Sequence, residues 1–581
     1  MVLLPLVEIV ARKLFGIGVP GSAAFTQHLT LWVGFLGAAL AATEGKLLAL
    51  ATGELIPKGR FRSLSGGFAG AVAAGISTLL FWACFDLIVL EREAETMIAA
   101  GVPVWIGQLA MPIGFGLIAV RLVWRSSARW PGRLLALAAI GVATWIARHP
   151  ELLEFRPAWP GLLILLVATL LGGPIFAAIG GFAVLLFMAE GVPAAAVPAE
   201  TYRLVVSPTL PAIPLFTLAG FLLAEGKSST RLLRVFRAFF GWMPGGTAVV
   251  CAVVCAFFTA FTGGSGVTIL ALGGLLFHAL QSDGYREEFS LGLLTASGSL
   301  GLLFPPALPL ILYAIVAKVP IEDLFIGGLI PGLLLVLLLV IWGVREGWLQ
   351  GARRIPFEGK EAGKALWQGK WELLLPVVVL IAIFSGWATP VEASAVAALY
   401  ALVVQAFVHR DLSLTQDLPR VLRHCTVLVG GVLIILGVAM GLTNYLVDAQ
   451  VPTRVVDWAQ GHISSPLVFL LALNVFLLLV GCLMDIFSAI VVVVPLIVPL
   501  GVAFGIHPVH LGIIFVANLE LGYLTPPVGL NLFLASYRFE KPLLLIYRAA
   551  LPMLLILGVG VLLITYVPGL TTGLLTLLGR G

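Results

Sequence analysis

The sequence predicts an all-α polytopic membrane protein of roughly sixteen transmembrane helices plus two re-entrant hairpins, allowing about 20 residues per crossing. Three observations carry that expectation. Of 581 residues, 60% are hydrophobic and only 11% are charged, too few polar side chains to cover a soluble protein of this size. The charges retreat into short connecting segments, while runs such as Leu333 to Trp342, Leu373 to Phe384 and Leu467 to Val480 carry none. Finally, two apolar stretches contain the same device, Gly301-Leu302-Leu303-Phe304-Pro305-Pro306 and Gly522-Tyr523-Leu524-Thr525-Pro526-Pro527. Proline removes a backbone donor and crowds the carbonyl of the preceding turn, so paired prolines break a helix where lipid offers no replacement hydrogen bonds. Such a break must face protein, water or an ion. Its recurrence in two halves of one chain predicts an inverted-repeat secondary transporter with its binding site at the repeat interface, near the bilayer midplane.

From the N-terminus, only about ten mostly apolar residues precede Arg12 and Lys13, too few to span a bilayer. This predicts a natural start upstream of Met1, and the segment lacks the pattern of a cleaved signal peptide. Lys46, Lys58, Arg60 and Arg62 then form a basic loop, Glu91, Glu93 and Glu95 an acidic one, and Arg121, Arg125, Arg129 and Arg133 a second basic one. The positive-inside rule places 44–65 and 121–133 in the cytoplasm and 90–103 outside. Residues 134–146 then cross outward as a linking helix, leaving Arg148 to Trp159 external. The predicted organisation is a first module over 1–130, a link over 131–158, and a second module over 159–581 with repeats at about 159–345 and 373–581. Asp86 lies near a membrane end, facing water or a subunit contact. The stretch Arg345 to Glu372, with Arg353, Arg354, Lys360, Lys364 and Lys370 among Glu358, Glu361 and Glu372, suits an interfacial helix or loop with a solvated face. The net charge of +5 reports orientation and implies no nucleic-acid partner.

The second module holds the chemistry. Thr262-Gly263-Gly264-Ser265-Gly266-Val267-Thr268 sits between Cys251–Phe261 and Ile269–Leu276, each too short to span and too apolar for a surface loop. A re-entrant hairpin follows, whose tip offers carbonyls, amides and hydroxyls, the hard oxygen ligands a desolvated Na⁺ needs. Thr295-Ala296-Ser297-Gly298-Ser299-Leu300-Gly301 runs into Pro305, Pro306 and Pro309, a second unwound stretch able to face that tip. The second half repeats the plan. Gly481 and Asp485 open a segment interrupted by Pro495 and Pro499, and Asn518 and Glu520 precede Gly522 to Pro527, with Gly529 and Asn531 after. Asp485, Asn518 and Glu520 are costly in lipid and should face the interior or a water-filled cavity. Ser, Thr and Gly also serve ordinary helix packing; their paired placement favours ion sites.

Other chemistries lack their residues. The five cysteines, at 84, 251, 255, 425 and 482, sit in or beside apolar segments, so no disulfide is expected. The helical spacing of Cys251 and Cys255 lacks His or acidic partners for zinc, and His507 and His510, with Pro508 between them, read as a loop. Glu392, starting a helix in Thr-Pro-Val-Glu-Ala, suits the helix dipole. No nucleophile–base pair, metal constellation or Gly-x-x-x-x-Gly-Lys-Ser/Thr loop is present, so neither an enzyme nor a nucleotide-driven pump is expected.

A family resemblance rests on the same residues. Leu210-Pro211-Ala212-Ile213-Pro214-Leu215-Phe216, Gly245-Gly246-Thr247, Thr295 to Pro309, Phe325-Ile326-Gly327-Gly328-Leu329-Ile330-Pro331-Gly332, Thr389-Pro390-Val391-Glu392-Ala393 and Asn518 to Asn531 resemble the large membrane subunit of tripartite ATP-independent periplasmic (TRAP) transporters. The first module is similar to the small membrane subunit through Trp32-Val33-Gly34-Phe35-Leu36-Gly37-Ala38-Ala39 and Val102-Pro103-Val104-Trp105 to Arg121. The resemblance implies a natural fusion working as a monomer in a bacterial or archaeal cytoplasmic membrane. It implies Na⁺-coupled import of an organic anion, usually a carboxylate, by an elevator motion of a transport domain in a scaffold, with substrate delivered by a separate periplasmic binding protein and no cofactor beyond Na⁺. One Na⁺ site is implied at Ser265, Gly266, Ser297, Gly301 and Pro305, and the other at Asp485, Gly522, Thr525 and Pro527. Between the tips, Thr262, Gly264, Ser299, Asn518 and Asn531 are implied to meet the substrate. Many relatives carry a Ser-Gly-Ser tip where this chain has Gly264-Ser265-Gly266. A binding-protein-independent Na⁺- or H⁺-coupled anion symporter of related architecture is the alternative.

Overall fold

The fold was obtained as a computed structural model. It describes residues 1–50, 59–126, 130–354 and 356–580, with Phe61 described by its backbone alone. Lys58 and Arg129, used above for orientation, lie outside the described residues. Among the described residues the chain is helical almost throughout, with one small ribbon in the acidic loop, Met97–Ala99 paired antiparallel to Val102–Pro103. Among the described residues twelve helices are long and apolar enough to cross a bilayer, or thirteen if the bent pair Glu287–Leu303 and Leu308–Ala317 counts as one span. This is fewer than the sixteen expected from apolar length. Five further apolar helices, Gly246–Thr262 and Pro508–Gly522 among them, have only 10–17 residues. At 1.5 Å per residue such helices fall short of the roughly 30 Å hydrocarbon core, because glycine and proline cut the apolar sequence into shorter pieces.

One compact unit comprises Met1–Pro214, Leu422–Val455 and Val491–Pro495. In it, helices Ser22–Glu44, Arg60–Glu93 and Ala110–Ser126 pack together, and Trp130–Arg148 runs along Arg60–Glu93. Of that last helix only Ala136 and Ala143 are buried, so its remaining faces suit lipid, as a linking crossing requires. Helix Leu3–Phe15 is too short to span and exposes Leu3, Val7, Val10 and Leu14 along one face. The segment after Leu422 approaches Ser22–Glu44 backbone to backbone. A Cβ on Gly37 would lie 2.2 Å from the Thr426 carbonyl oxygen, and one on Gly430 would lie 2.1 Å from Ala38 N. Asp86 is exposed, as its position at a membrane end suggests.

The other unit comprises Leu215–Val421, Val456–Ile490 and Leu496–Gly581, and carries one series of elements twice. In the first pass, Gly246–Thr262 and Ser265–Ser282 are joined by a two-residue turn. Glu287–Ser297 then gives way to a 3-10 turn at Leu300–Leu303 and restarts as Leu308–Ala317, before the long helix Ile321–Leu349. In the second pass, Pro466–Leu483 and Ile486–Ala503 correspond to the joined pair, Pro508–Gly522 and Leu530–Phe539 to the broken helix, and Leu543–Tyr566 to the long one. Both joined pairs fold back as hairpins. The Thr247 hydroxyl at the start of the first pair donates to Asp283 just past its end, at 2.5 Å, and in the second the Phe469 and Phe504 rings stack with centroids 4.4 Å apart.

The charged stretch from Arg345 to Glu372 divides between the end of Ile321–Leu349 and the start of Gly359–Phe384. Most of it is exposed, but Glu372 is fully buried, a departure from the solvated face expected there. Its Oε1 accepts from Arg231 Nε at 2.6 Å, and Arg231 also donates to Asp411 at 2.6 Å and to Gln405 at 3.1 Å. Gln405 sits on a π-helical turn, Val404–Val408, and donates to Ser228 at 2.8 Å. His409 Nε2 lies 3.4 Å from the same Glu372 oxygen. Burial and the adjacent Arg231 guanidinium lower the His409 pKa, against the opposing pull of Glu372 and Asp411. A histidine with a lowered folded pKa binds its proton more tightly when unfolded, so stability is lost as pH falls from about 6.5 toward the folded value. The protein is therefore expected to melt at a lower temperature at about pH 5.5 than at about pH 7.5. In His409→Gln that difference should shrink; an unchanged pH dependence of the melting temperature would assign it to other groups.

Thr389 opens Pro390–Val403 with a reciprocal cap, its hydroxyl accepting from Glu392 N at 3.3 Å while the Glu392 carboxylate accepts from Thr389 N at 2.8 Å. Glu392 thus serves the helix start. His507 likewise caps Pro508–Gly522, accepting from Val509 N at 3.2 Å. His510 corrects the loop expectation. It is buried in the first turn of that helix, bonded to Thr571 at 2.8 Å and to the Thr565 carbonyl at 3.2 Å. All five cysteines are free and buried.

Candidate cation and substrate site

Glycine sets the turn of the first hairpin. Gly263 ends the first arm at φ 66°, where an L side chain is disfavoured, and a Cβ there would lie 2.5 Å from Leu308 Cβ. Gly264 is extended, and Ser265 begins the second arm. Three hydroxyls stand around this tip. Thr259 donates to the Gly298 carbonyl at 2.8 Å, so in the 2.7 Å contact between Thr259 and Thr268 the proton belongs to Thr268. Thr262 lies 3.5 Å from Thr268 and from the Gly264 carbonyl. These bonds fasten the hairpin to the break in Glu287–Ser297.

That break is packed into the hairpin's first arm with no room to spare. A Cβ on Gly301 would meet the Ala256 carbonyl oxygen at 2.2 Å and Ala260 N at 2.4 Å; one on Gly298 would lie 2.5 Å from Ile269 and 3.5 Å from the Ser265 carbonyl. The hydroxyl oxygens of Ser265 and Ser297 are buried in this contact region without a hydrogen-bond partner among the described residues. Buried polar atoms are nearly always satisfied, so two orphaned hydroxyls, one opening the second arm and one closing Glu287–Ser297, mark an unmet demand for a polar or ionic partner at this contact. Ser299 turns inward, donating to the Ala296 carbonyl at 3.3 Å. Pro305 faces the other way, lining an apolar cavity of about 310 Å³ with Phe304, Phe257 and Leu333.

The second hairpin turns on a carboxylate. Asp485 Oδ1 accepts from Phe487 N at 3.0 Å and Ser488 N at 3.1 Å, and its Oδ2 accepts from the Ser488 hydroxyl, so it caps Ile486–Ala503. Ile486 N donates to the Tyr523 hydroxyl at 2.6 Å, tying this turn to the second break. The backbones touch alongside: a Cβ on Gly522 would lie 2.6 Å from Gly481 Cα. Gly529, at φ 43°, donates its N–H to the Cys482 carbonyl at 3.1 Å, and a Cβ there would lie 2.7 Å from the Tyr523 carbonyl oxygen and 2.9 Å from that of Thr525. The Thr525 hydroxyl donates to the Leu521 carbonyl at 3.0 Å and keeps its lone pairs free to ligate. The Pro527 carbonyl accepts from the Tyr547 hydroxyl. The Pro305–Pro306 and Pro526–Pro527 peptide bonds are both cis.

The halves meet at the first tip. Asn531 Nδ2 donates to the Thr295 carbonyl at 3.1 Å while its Oδ1 stays buried and unpartnered, and a Cβ on Gly266 would come within 2.8 Å of Leu534. Thr262, Gly264, Ser265, Gly266, Ser297, Ser299, Gly301 and Asn531 thus gather around one tip, and Asp485, Gly522, Thr525 and Pro527 around the other. Asn518 is not brought to the first tip by any of its contacts. It donates to Asn474 at 2.6 Å and to the Ile514 carbonyl at 2.9 Å, in a buried seam that continues from Asn474 to Thr565 at 3.1 Å. Glu520 is buried, as expected, with Oε1 unpartnered. Sequence reasoning overlooked Thr259, Asn474 and Tyr523. Asn474 was visible as the lone amide in the charge-free run Leu467 to Val480, and Tyr523 as the only hydroxyl-bearing aromatic in either break.

Comparison with known proteins bears on this arrangement. Residues 162–570 match the family model described as tripartite ATP-independent periplasmic transporter, DctM component, and residues 1–132 match the DctQ component. The isethionate TRAP transporter permease protein DctMQ of Oleidesulfovibrio alaskensis is 32% identical over 529 residues, 88% of this chain and 81% of that protein. The C4-dicarboxylate TRAP transporter large permease protein DctM of Pseudomonas aeruginosa is 37% identical over 405 residues, 69% of this chain and 93% of that protein. A crystal structure of the YdaH transporter of Alcanivorax borkumensis aligns with 64% of this chain and 90% of its own at 17% identity and a TM-score of 0.47.

Proposed function

The chain belongs to the tripartite ATP-independent periplasmic transporter family, with DctQ and DctM components in one polypeptide, and from that premise we propose that it imports an organic anion across the inner membrane, driven by Na⁺ and supplied by a periplasmic binding protein. In this reading residues 1–130 are the small-subunit module, 131–158 the link and 159–581 the transporter proper. The observation that carries it is the facing of each hairpin tip by a broken helix, with the Ser265 and Ser297 hydroxyls buried at the first tip without a partner among the described residues.

The chemistry follows from charge. Hydroxyl and carbonyl oxygens at the first tip and at the Gly481–Gly522 contact provide hard, flexible ligands for Na⁺. Na⁺ held there supplies a positive field beside Asn531 at the first tip, where a carboxylate finds attraction together with the Thr262 hydroxyl as donor. Neither ion crosses an apolar barrier cheaply alone, whereas the neutralised pair does. Coupling is then a difference in binding free energy, reciprocal between Na⁺ and substrate. The hairpins and broken helices move as one body in an elevator cycle, since the bonds Thr259–Gly298, Asn531–Thr295 and Ile486–Tyr523 hold them together. The re-entrant reading of both hairpins rests on their closed bases and, in the first, on the short arm Gly246–Thr262.

Uptake of labelled organic acids into proteoliposomes tests this, with and without an inward Na⁺ gradient and with and without the cognate soluble binding protein. Accumulation is expected only when both are supplied. Na⁺-driven uptake without the binding protein would favour the binding-protein-independent symporter, and Na⁺-insensitive equilibration would contradict coupling.

A further inference from the structure

We propose that a pocket between the long helices Ile321–Leu349 and Leu543–Tyr566 binds the phosphodiester headgroup of a phospholipid in the cytoplasmic leaflet, held by Arg286 and Arg548. The pocket has a volume of about 260 Å³ and is lined by Arg286, Glu288, Trp342, Glu346 and Arg548 over a floor of Phe289 and Met553. Neither guanidinium has an ion-pair or hydrogen-bond partner among the described residues; Arg286 uses only its backbone N–H, donating to Gln350 at 2.8 Å. Glu346, by contrast, is neutralised by Arg345 at 3.0 Å and bonded by Gln350 at 2.8 Å, so it does not compete for the arginines. Two guanidinium groups lining one cavity, with Glu288 at its exposed side, suit the paired oxygens of a phosphodiester.

Position identifies the source of that phosphate. Arg286 directly precedes Glu287–Ser297, Arg548 lies five residues into Leu543–Tyr566, and Trp342 lies seven residues before the end of Ile321–Leu349. At 1.5 Å per residue the pocket sits within about 10 Å of the helix ends, the depth of headgroups and glycerol. Trp342, capped by Arg345 at 4.5 Å from its ring centroid, is the side chain expected at that level. Farther along the same two helices, Leu551, Leu555 and Val559 are exposed at helical spacing on one, and Leu337 and Ile341 are exposed on the other, apolar side chains suited to acyl chains. The helix ends and connecting segments at this end carry Arg286, Arg345, Arg353, Arg354, Arg538 and Lys541, which by the positive-inside rule is the cytoplasmic face, where anionic lipid is concentrated.

Native mass spectrometry of the full chain in detergent, titrated with phosphatidylglycerol, tests the proposal. The protein is expected to retain one lipid that survives delipidation of the bulk annulus, and Arg286→Gln/Arg548→Gln to weaken it roughly tenfold or more. Arg286→Lys/Arg548→Lys should keep most of the binding, and Arg353→Gln/Arg354→Gln, which removes charge outside the pocket, should keep all of it. Equal binding by the glutamine variant, or equal loss in the 353/354 control, would overturn the assignment. On the unaltered protein, diacylglycerol binding as tightly as phosphatidylglycerol would remove the phosphate from the argument. Displacement by millimolar inorganic phosphate would make the ligand a soluble anion instead of a lipid.

Discussion

Gly301→Ala is expected to cut coupled uptake about tenfold or further while the chain still reaches the membrane. The added methyl would stand 2.2 Å from the Ala256 carbonyl oxygen and 2.4 Å from Ala260 N. Both are backbone atoms and cannot rotate aside, so the break and the first hairpin must part. Overpacking of this kind costs about 1–3 kcal/mol. Here the cost falls on the contact that aligns Ser297 with Ser265, so function should suffer more than stability: uptake falling about tenfold or further, with a lowered melting temperature. Gly522→Ala, whose methyl would meet Gly481 Cα at 2.6 Å, should act alike at the second tip. Gly359→Ala, with nothing within 4 Å, serves as the control and should transport normally. Normal uptake by Gly301→Ala would mean that the close approach is unrelated to transport.

Removing the orphaned hydroxyls should act on Na⁺ and spare the fold. Ser265→Ala and Ser297→Ala delete buried oxygens that have no hydrogen-bond partner among the described residues, so neither breaks a hydrogen bond seen there. Apart from a ligand, losing an unsatisfied buried hydroxyl is neutral or mildly stabilising. As cation ligands each contributes on the scale of a hydrogen bond to charge, about 1.5–3 kcal/mol, so the Na⁺ concentration for half-maximal uptake should rise about 10- to 100-fold in each. Maximal uptake at saturating Na⁺ should change less. A fall in maximal rate at unchanged Na⁺ dependence would assign these hydroxyls to motion or substrate instead.

The breaks were legible in the sequence because their cause is local. Pro305-Pro306 and Pro526-Pro527 cannot continue a helix in any surroundings, and Gly263-Gly264 between two apolar arms leaves little but a turn. The pairing of Asn531 with Thr295, 236 residues away, was not legible, since nothing in either neighbourhood names the other. Asn518 shows what composition leaves open. A buried amide near a break suggests a ligand, and the structure commits its Nδ2 to Asn474 and Ile514 while its Oδ1 stays unpartnered among the described residues. At Glu372 composition misled. Its charged neighbours on Gly359–Phe384 face solvent, and only the arrival of Arg231 from another helix makes burial of its carboxylate tolerable. The count of crossings failed for a related reason: apolar length measures how much chain avoids water, and here part of it is divided among helices too short to cross.

Na⁺ binding at the two tips is measurable by thermal unfolding of the purified chain at constant ionic strength, with Na⁺ exchanged for K⁺. A ligand that binds only the folded state stabilises it by mass action. Na⁺ should therefore raise the melting temperature of the unaltered protein over K⁺, and Ser265→Ala/Ser297→Ala should lose much of that increment while melting normally in K⁺. Identical melting in the two salts, or an Na⁺ increment that survives in the double variant, would contradict cation binding at the first tip.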